Sequence, residues 1–211
     1  MTKKRIVVLV SGGGSNLQAI IDASIIETLH ADIVGVVANK HCKGIDRAQK
    51  HLISTDVLPY TAFDNREDYD QALISILDLY YPDFIVLAGF MRVLTPSFVQ
   101  YYQGKLINIH PALLPKYKGL RTHKRVLEAK ELEHGSTIHL VSEEVDGGAL
   151  IAYTKMTVLE NDNEKSLERR IKAHEHALYP KVLELLCREQ ITLKNNNVFY
   201  EGKKLTAPLH L

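Results

Sequence analysis

Cysteine is scarce: Cys42 and Cys187 are the only two in 211 residues. Two isolated thiols make neither a spaced metal-binding pattern nor a disulfide framework, so a reducing cytoplasm is the expected compartment. An excess of one charge is lacking too. Lys and Arg number 26 against 25 Asp and Glu, a net charge of +1 with the ten His neutral; that balance argues against a nucleic-acid surface as the main business. No run approaches the roughly 18 apolar residues of a membrane helix. The basic Lys3-Lys4-Arg5 start meets only five apolar residues before glycines intervene, so neither a membrane span nor a secretory signal is expected. Internal repeats, low-complexity tracts and Pro/Gly/Ser linkers are also missing. At 45% hydrophobic and 24% charged residues, the composition is that of one globular domain of generous size.

Hydrophobic periodicity supplies the architecture. Ile6 to Val10 is a continuous apolar run between charges and glycines, as in a strand buried on both faces. Leu17, Ile20, Ile21 and Ile25 follow at helical spacing, and Ile33 to Ala38 is a second β-branched run, giving strand, helix, strand. A short helix over Gly44 to Ile53 and a strand around Val57 come next. Tyr69, Leu73, Ile76, Leu77 and Tyr80 then share one face of a helix that Pro82 is expected to end. Phe84 to Ala88 and Leu106 to Ile109 read as further buried strands. Beyond about residue 120 the texture changes: Thr137 to Val141 and Leu150 to Val158 read as strands. A long helix starts near Asp162 to Glu164, with Leu167, Ile171, Leu178, Val182 and Leu185 on one face and Pro180 as a kink. The tail reads as a hairpin, Ile191 to Leu193 turning through Asn195-Asn196-Asn197 into Val198 to Tyr200. The expected fold is a single α/β domain over residues 1–211, with a mostly parallel central sheet flanked by helices, a β-rich second half and a long C-terminal helix.

Several places could carry chemistry. The first strand empties into Ser11-Gly12-Gly13-Gly14-Ser15-Asn16 and a helix follows at once. Glycines allow close backbone approach, and the free N–H groups of a helix start favour an anion such as phosphate. The alternative is a tight turn with Ser15 or Asn16 as cap. No glycine stands three residues after Gly14 and no Lys-Ser/Thr follows, so neither the dinucleotide fingerprint nor a nucleotide P-loop is met. Asn108-Ile109-His110-Pro111 ends a buried strand, where α/β sheets place their ligands, and alternation puts Asn108 and His110 on one side. An amide donor beside an imidazole suits a reaction that builds negative charge on a carbonyl oxygen, Asn binding the oxyanion while His transfers a proton. The same pair could equally be polar groups closing a strand. Asp146, before Gly147-Gly148, is a candidate partner that would raise the His110 pKa if the fold brings them together, or else part of a turn. Gly89 to Leu94 could wall an apolar ligand, with Arg92 at its edge, or simply pack in the core. His174 and His176, two residues apart, cannot share a helix face as a metalloprotease pair must, so no metal is expected.

In chain order these elements resemble the folate-dependent formyltransferases. The resemblance rests on Val8-Leu9-Val10-Ser11-Gly12 through Asn16-Leu17-Gln18-Ala19-Ile20, on Leu87-Ala88-Gly89-Phe90-Met91-Arg92, and on Asn108-Ile109-His110-Pro111 with Leu113-Leu114-Pro115. It continues through His134-Gly135, Asp146-Gly147-Gly148 and Glu175-His176-Ala177-Leu178-Tyr179-Pro180, covering essentially the whole chain. Two positions depart from the common pattern, Ala112 where Ser is usual and Gly13 where Asn is common. The resemblance implies a Rossmann-like fold and a cytoplasmic enzyme, monomer or homodimer. Its reaction would move the formyl group of 10-formyltetrahydrofolate, a co-substrate, to the amine of glycinamide ribonucleotide in purine biosynthesis, without metal. It implies Asn108, His110 and Asp146 as the catalytic trio, and Gly14, Ser15 and Asn16 as the phosphate site, with Glu175 helping to recognise the ribonucleotide. Arg66, Met91, Arg92, Val93 and Leu94 would contact the folate together with Asn108, and the loop of Ser142, Glu143, Glu144, Val145 and Asp146 would close over its pterin. The phosphate-binding half would be about residues 1–100 and the folate and catalytic half about 101–211. Members that act on tRNA append a nucleic-acid-binding domain, for which the short tail after Gln190 leaves no room. Members that hydrolyse the formyl folate carry an extra N-terminal domain, whereas here the first strand begins at Ile6. A non-enzymatic α/β sensor, binding a ligand at the glycine loop, is the alternative from a different class.

Overall fold

The computed structural model describes residues 2–194 and 196–211. Its chain order is β1 (Lys4–Val10), α1 (Ser15–Ile25), β2 (Ala31–Ala38), α2 (Lys43–Lys50), β3 (Thr55–Val57), α3 (Arg66–Asp78), β4 (Phe84–Leu87), α4 (Pro96–Tyr101), β5 (Leu106–His110), α5 (Thr122–Glu128), β6 (Glu133–Leu140), β7 (Leu150–Thr157) and α6 (Glu164–Cys187), then the short strands β8 (Ile191–Lys194), β9 (Asn197–Tyr200), β10 (Lys203–Lys204) and β11 (Leu209–His210). Eight strands form one sheet in the order β11-β7-β6-β5-β4-β1-β2-β3, and β8, β9 and β10 form a small second sheet. From β3 to β5 the pairing is parallel; β6 joins β5, and β7 joins β6, antiparallel.

The apolar run in β1 explains its central place. Ile6, Val8 and Val10 point into a core shared with α1 and α6, while Val7 and Leu9 point into a second core shared with α3 and α4; all five are 0% exposed. A strand with water on neither face has no polar side to present, which is why it reads as a run and not an alternation. Its parallel neighbours β2 and β4 lie on opposite sides of it, one leading out in each direction. Their connections diverge at the carboxyl end of β1, the position where open α/β sheets leave a crevice.

Several expectations need correction. Ile25, counted on the buried face of α1, is 60% exposed at the helix end. The third helix stops at Asp78, before Pro82, with a turn in which Tyr81 takes φ 47°. No side chain of Ser15 or Asn16 caps α1; the N-cap is Gly14 itself at φ 67°. Helices α4 and α5 have no counterpart in the hydrophobic pattern, since each is shorter than two full turns of periodicity. Local chemistry sets α4, where the Thr95 hydroxyl caps Phe98 N–H and Pro96 starts the first turn. The long C-terminal helix is capped by the Asn163 side chain, with the Asn163 N–H donating in return to the Ser166 hydroxyl, and it continues through Pro180. Asn195, placed in the tail turn, lies outside the described residues. Among the described residues no helix is long and apolar enough to cross a membrane.

Candidate active site

The glycine loop leaves β1 beside the segment that leaves β4, and the Ser11 hydroxyl joins them by accepting the Met91 N–H at 2.8 Å. Gly14 must take a left-handed conformation, and a Cβ there would stand 2.7 Å from Gly44 Cα. With no side chain capping α1, its first-turn N–H groups remain available to an anion. Asn16 is committed elsewhere: its Nδ2 donates to Glu175 Oε2 at 2.9 Å, and its Oδ1 is buried without a partner. Glu175, 5% exposed on α6, also accepts the Ser136 hydroxyl at 2.8 Å. Burial pushes its carboxyl above the usual range, and the bonds from Asn16 and Ser136 oppose that rise without cancelling it. The structure therefore joins the helix start, α6 and β6 at one polar cluster on the sheet's carboxyl edge.

The strand β5 presents Asn108 and His110 two residues apart, and the loop after β6 brings Asp146 to them. Asp146 Oδ2 lies 3.3 Å from His110 Nδ1 and accepts the Gly119 N–H at 2.9 Å, and both side chains of the pair are about nine-tenths buried. Gly148 fixes the loop's exit, because any Cβ there would meet the Leu140 carbonyl at 1.8 Å. His110 Nε2 faces the Tyr117 carbonyl at 2.9 Å; a carbonyl only accepts, so Nε2 carries a proton. Both ring nitrogens of His110 are thus engaged within the protein. The expected rise in the His110 pKa is not what results. Burial pushes it below its ordinary value of 6.5, and the Tyr117 hydrogen bond and the Asp146 charge recover only part of that loss. For Asp146, burial acts upwards, but the nearby His139 ring, the Gly119 N–H bond and the His110 ring outweigh it and hold the carboxyl below its usual value.

His139 was missed by sequence reading. It sits on β6 opposite Asn108 in the antiparallel register, 1% exposed. Its Nδ1 donates to the Leu140 carbonyl at 2.7 Å, which leaves Nε2 to meet Asn108 Nδ2 at 3.1 Å and Asp146 Oδ1 at 3.5 Å. One amide hydrogen of Asn108 is thereby directed at His139, and the other has no partner among the described residues. Only a correct β5–β6 register could have placed these residues together, and the alternation of a single strand does not contain it. A second histidine pair, half-buried His123 Nδ1 on α5 with buried His134 Nε2 on β6 at 2.9 Å, joins those two elements.

The other expected contacts surround this centre unevenly. Leu94 is buried, while Met91 and Val93 are 65% and 52% exposed on the segment after Gly89. The Arg92 guanidinium lies 3.2 Å over the Tyr60 ring, and its Nε and the Tyr69 hydroxyl are buried without hydrogen-bond partners. Two polar groups left so among apolar side chains suit the polar end of a bound molecule. Arg66 is exposed at the start of α3. Ser142, Glu143, Glu144 and Val145 form a turn closed by Ser142 Oγ and Gly147 N–H on the Glu144 carbonyl, and the Glu144 carboxylate is held by Lys118 at 2.8 Å. Among the described residues no group of three or more His, Cys, Asp or Glu is arranged to hold a metal ion.

Comparison with known proteins places these features in a family. Residues 4–183 match the family described as Formyl transferase. The chain is 45% identical over 201 residues to the phosphoribosylglycinamide formyltransferase of Escherichia coli K12, covering 95% of each chain. It is 46% identical over 187 residues to the trifunctional purine biosynthetic protein adenosine-3 of Drosophila melanogaster, covering 87% of this chain and 14% of that one. The solved phosphoribosylglycinamide formyltransferase of Coxiella burnetii superposes with a TM-score of 0.94 at 42% identity, over 99% of both chains. A glycine loop left uncapped at the sheet's switch point, two imidazoles sharing one carboxylate beside an amide, and these likenesses along nearly the whole chain lead to one assignment: the protein belongs to the formyl transferase family, among the phosphoribosylglycinamide formyltransferases.

Proposed function

We propose that this chain transfers the formyl group of 10-formyltetrahydrofolate to the amine of glycinamide ribonucleotide, giving formylglycinamide ribonucleotide in de novo purine biosynthesis. The observation that carries the chemistry is the Asn108, His110 and Asp146 cluster, in which Asp146 Oδ2 lies 3.3 Å from His110 Nδ1. Attack of the amine on the formyl carbon makes a tetrahedral centre, with negative charge on oxygen and positive charge on nitrogen. The free Asn108 N–H donates to that oxygen, and its other N–H, spent on His139, holds the amide plane still. His110 keeps Nδ1 on Asp146 and turns Nε2 to the substrate, exchanging the Tyr117 carbonyl for an oxygen of the reacting centre. In the charged form it passes a proton to the leaving folate nitrogen as that nitrogen's bond to the formyl carbon breaks, and the proton shed by the attacking amine returns to the ring. Asp146 supplies the compensating charge, and its own low pKa keeps it ionised while the proton moves.

The glycine loop holds the ribonucleotide phosphate through the backbone N–H groups of Gly14, Ser15 and Asn16. Asn16 contributes its main chain, because its side-chain amide already serves Glu175. Glu175 recognises the glycinamide end. The folate lies against Met91, Arg92, Val93 and Leu94 with Arg66 at its outer end, and residues 142–146 close over its pterin. Labour is divided between residues 1–100, which hold phosphate, and 101–211, which carry the chemistry, although one sheet runs through both.

The test is an assay of the purified protein with both substrates, with each alone, and with 5-aminoimidazole-4-carboxamide ribonucleotide in place of glycinamide ribonucleotide. Folate product should form only when glycinamide ribonucleotide is present. Deformylation of the folate at the same rate without any amine would overturn the proposal in favour of hydrolysis, and preference for the other ribonucleotide would overturn the acceptor.

A further inference from the structure

Each of the three loop glycines has its carbonyl tied. The Gly12 oxygen accepts the Gly44 N–H at 3.0 Å and the Gly14 oxygen accepts the Gln18 N–H at 2.9 Å. Between them, the Gly13 oxygen accepts Arg47 Nε–H at 2.9 Å. In a planar trans peptide the C=O of one residue and the N–H of the next point in opposite directions. Tying the oxygens of Gly12, Gly13 and Gly14 therefore turns the N–H groups of Gly13, Gly14 and Ser15 away from their tethers. Two of these ties are main chain to main chain. The middle one depends on a side chain.

Arg47 is itself held. It projects from α2, and Nη1 donates to Gln18 Oε1 at 3.0 Å, while Gln18 Nε2 donates to Asp22 Oδ1 at 2.8 Å. The guanidinium fork thus spans from the loop to the side of α1, with its stem against Gly14, where an added Cβ would come within 3.3 Å of Arg47 Cδ. Gly12 and Gly13 have no atom within 4 Å of an added Cβ, so on that side no packing confines the stretch that Arg47 fastens. A glycine loop free to reorient must be ordered each time an anion binds, and a tether in the free protein removes that cost beforehand.

We propose that Arg47 is a positioning residue: it pins the Gly13 carbonyl so that the loop presents its N–H groups to a phosphate ester, and phosphate affinity depends on this tether. The proposal rests on the reading of this loop as the phosphate holder and assigns Arg47 no contact with the reacting atoms. A planar fork is required, because one donor must reach the loop while another holds Gln18; an ammonium has the charge without that geometry.

The test compares wild type with Arg47→Met, which keeps an unbranched stem, and Arg47→Lys, which keeps the charge. Inorganic phosphate binding is measured by calorimetry with no folate present, alongside KM for glycinamide ribonucleotide, KM for the formyl folate, kcat and the thermal midpoint. Both variants should bind phosphate roughly tenfold more weakly, the size expected for losing a charged hydrogen bond that preorganises a site. KM for the ribonucleotide should rise in parallel, with kcat and the folate KM within about twofold. Wild-type phosphate affinity in Arg47→Met would overturn the proposal. So would full retention in Arg47→Lys, which would make charge alone sufficient, or an equal rise in both KM values, which would mark a general loss of structure. Because phosphate binding is read without turnover, weakened binding in a protein that transfers no formyl group would uphold Arg47 while the substrate assignment fails.

Discussion

Replacing Asp146 by Asn changes one charge and almost no volume, and the structure fixes how the amide must sit. The Gly119 N–H, 2.9 Å from Oδ2, needs an acceptor at that position, so the amide oxygen takes it and the amide nitrogen faces His139 Nε2. His110 Nδ1 then meets a neutral oxygen at about the distance where it met a carboxylate, 3.3 Å. Unit charges at that separation attract by about 5 kcal/mol at an effective dielectric constant of ~20, an upper bound on what the charged imidazole loses. Nε2–H can still donate to Tyr117 in either charge state, so what the variant removes is the carboxylate charge that favours the charged imidazole. The His110 pKa, already lowered by burial, should fall further. If the charged imidazole is the proton donor, kcat falls as pH rises through the His110 pKa; in the variant this limb moves to lower pH. At neutral pH kcat should drop roughly 10²- to 10³-fold, about 3–4 kcal/mol of barrier. The assay is the pH profile of kcat at saturating substrates, with proton NMR titration of the His110 ring. An unchanged kcat and an unmoved limb would return Asp146 to the role of a loop-closing carboxylate.

Other consequences are open to measurement. Asn108→Ala should reduce kcat by about 10²- to 10³-fold by removing an oxyanion donor, with little change in KM for the ribonucleotide; a change confined to KM would refute that role. Gly14→Val combines a disfavoured φ of 67° with a contact 2.7 Å from Gly44 Cα, so KM for the ribonucleotide should rise far more than KM for the folate. Equal rises would indicate a folding defect instead. Acid should destabilise the fold through His134, whose pKa burial lowers to about 4, with His123 and His110 adding to the shift. Between the unfolded value near 6.5 and about 4 the unfolded chain takes up a proton that the folded one does not. Stability is therefore full above pH ~6.5 and should fall by about 3 kcal/mol as pH drops to 4. Denaturant unfolding at several pH values checks this, and His134→Gln should flatten the slope; an equally steep slope in that variant would place the acid sensitivity elsewhere.

Strands buried on both faces announce themselves as apolar runs, and this is why β1, β2, β4 and β5 were legible in the sequence. The glycine loop was legible for a related reason, as glycines placed between a buried strand and a helix. Asn108 and His110 were readable because strand alternation is local. Their connection to His139 was not, since it depends on antiparallel pairing across 31 residues. The sign of the His110 shift was misjudged because a sequence shows the carboxylate but not the burial that outweighs it. Arg47 escaped notice for the same reason as His139: its work is a bond to a carbonyl 34 residues away, and no periodicity records that. Helices α4 and α5 were invisible to a hydrophobic pattern because six and seven residues cannot repeat it.

The most direct measurement follows a carbon-13 formyl label through a single turnover, with enzyme in excess over 10-formyltetrahydrofolate and glycinamide ribonucleotide saturating. Wild type should place the label on the amine of the ribonucleotide, one formyl group per folate consumed, with at least a hundredfold slower transfer in His110→Ala at unchanged folate binding. Label released as formate by the wild type, or transfer by His110→Ala at the wild-type rate, would contradict the assignment of formyl transfer to this site.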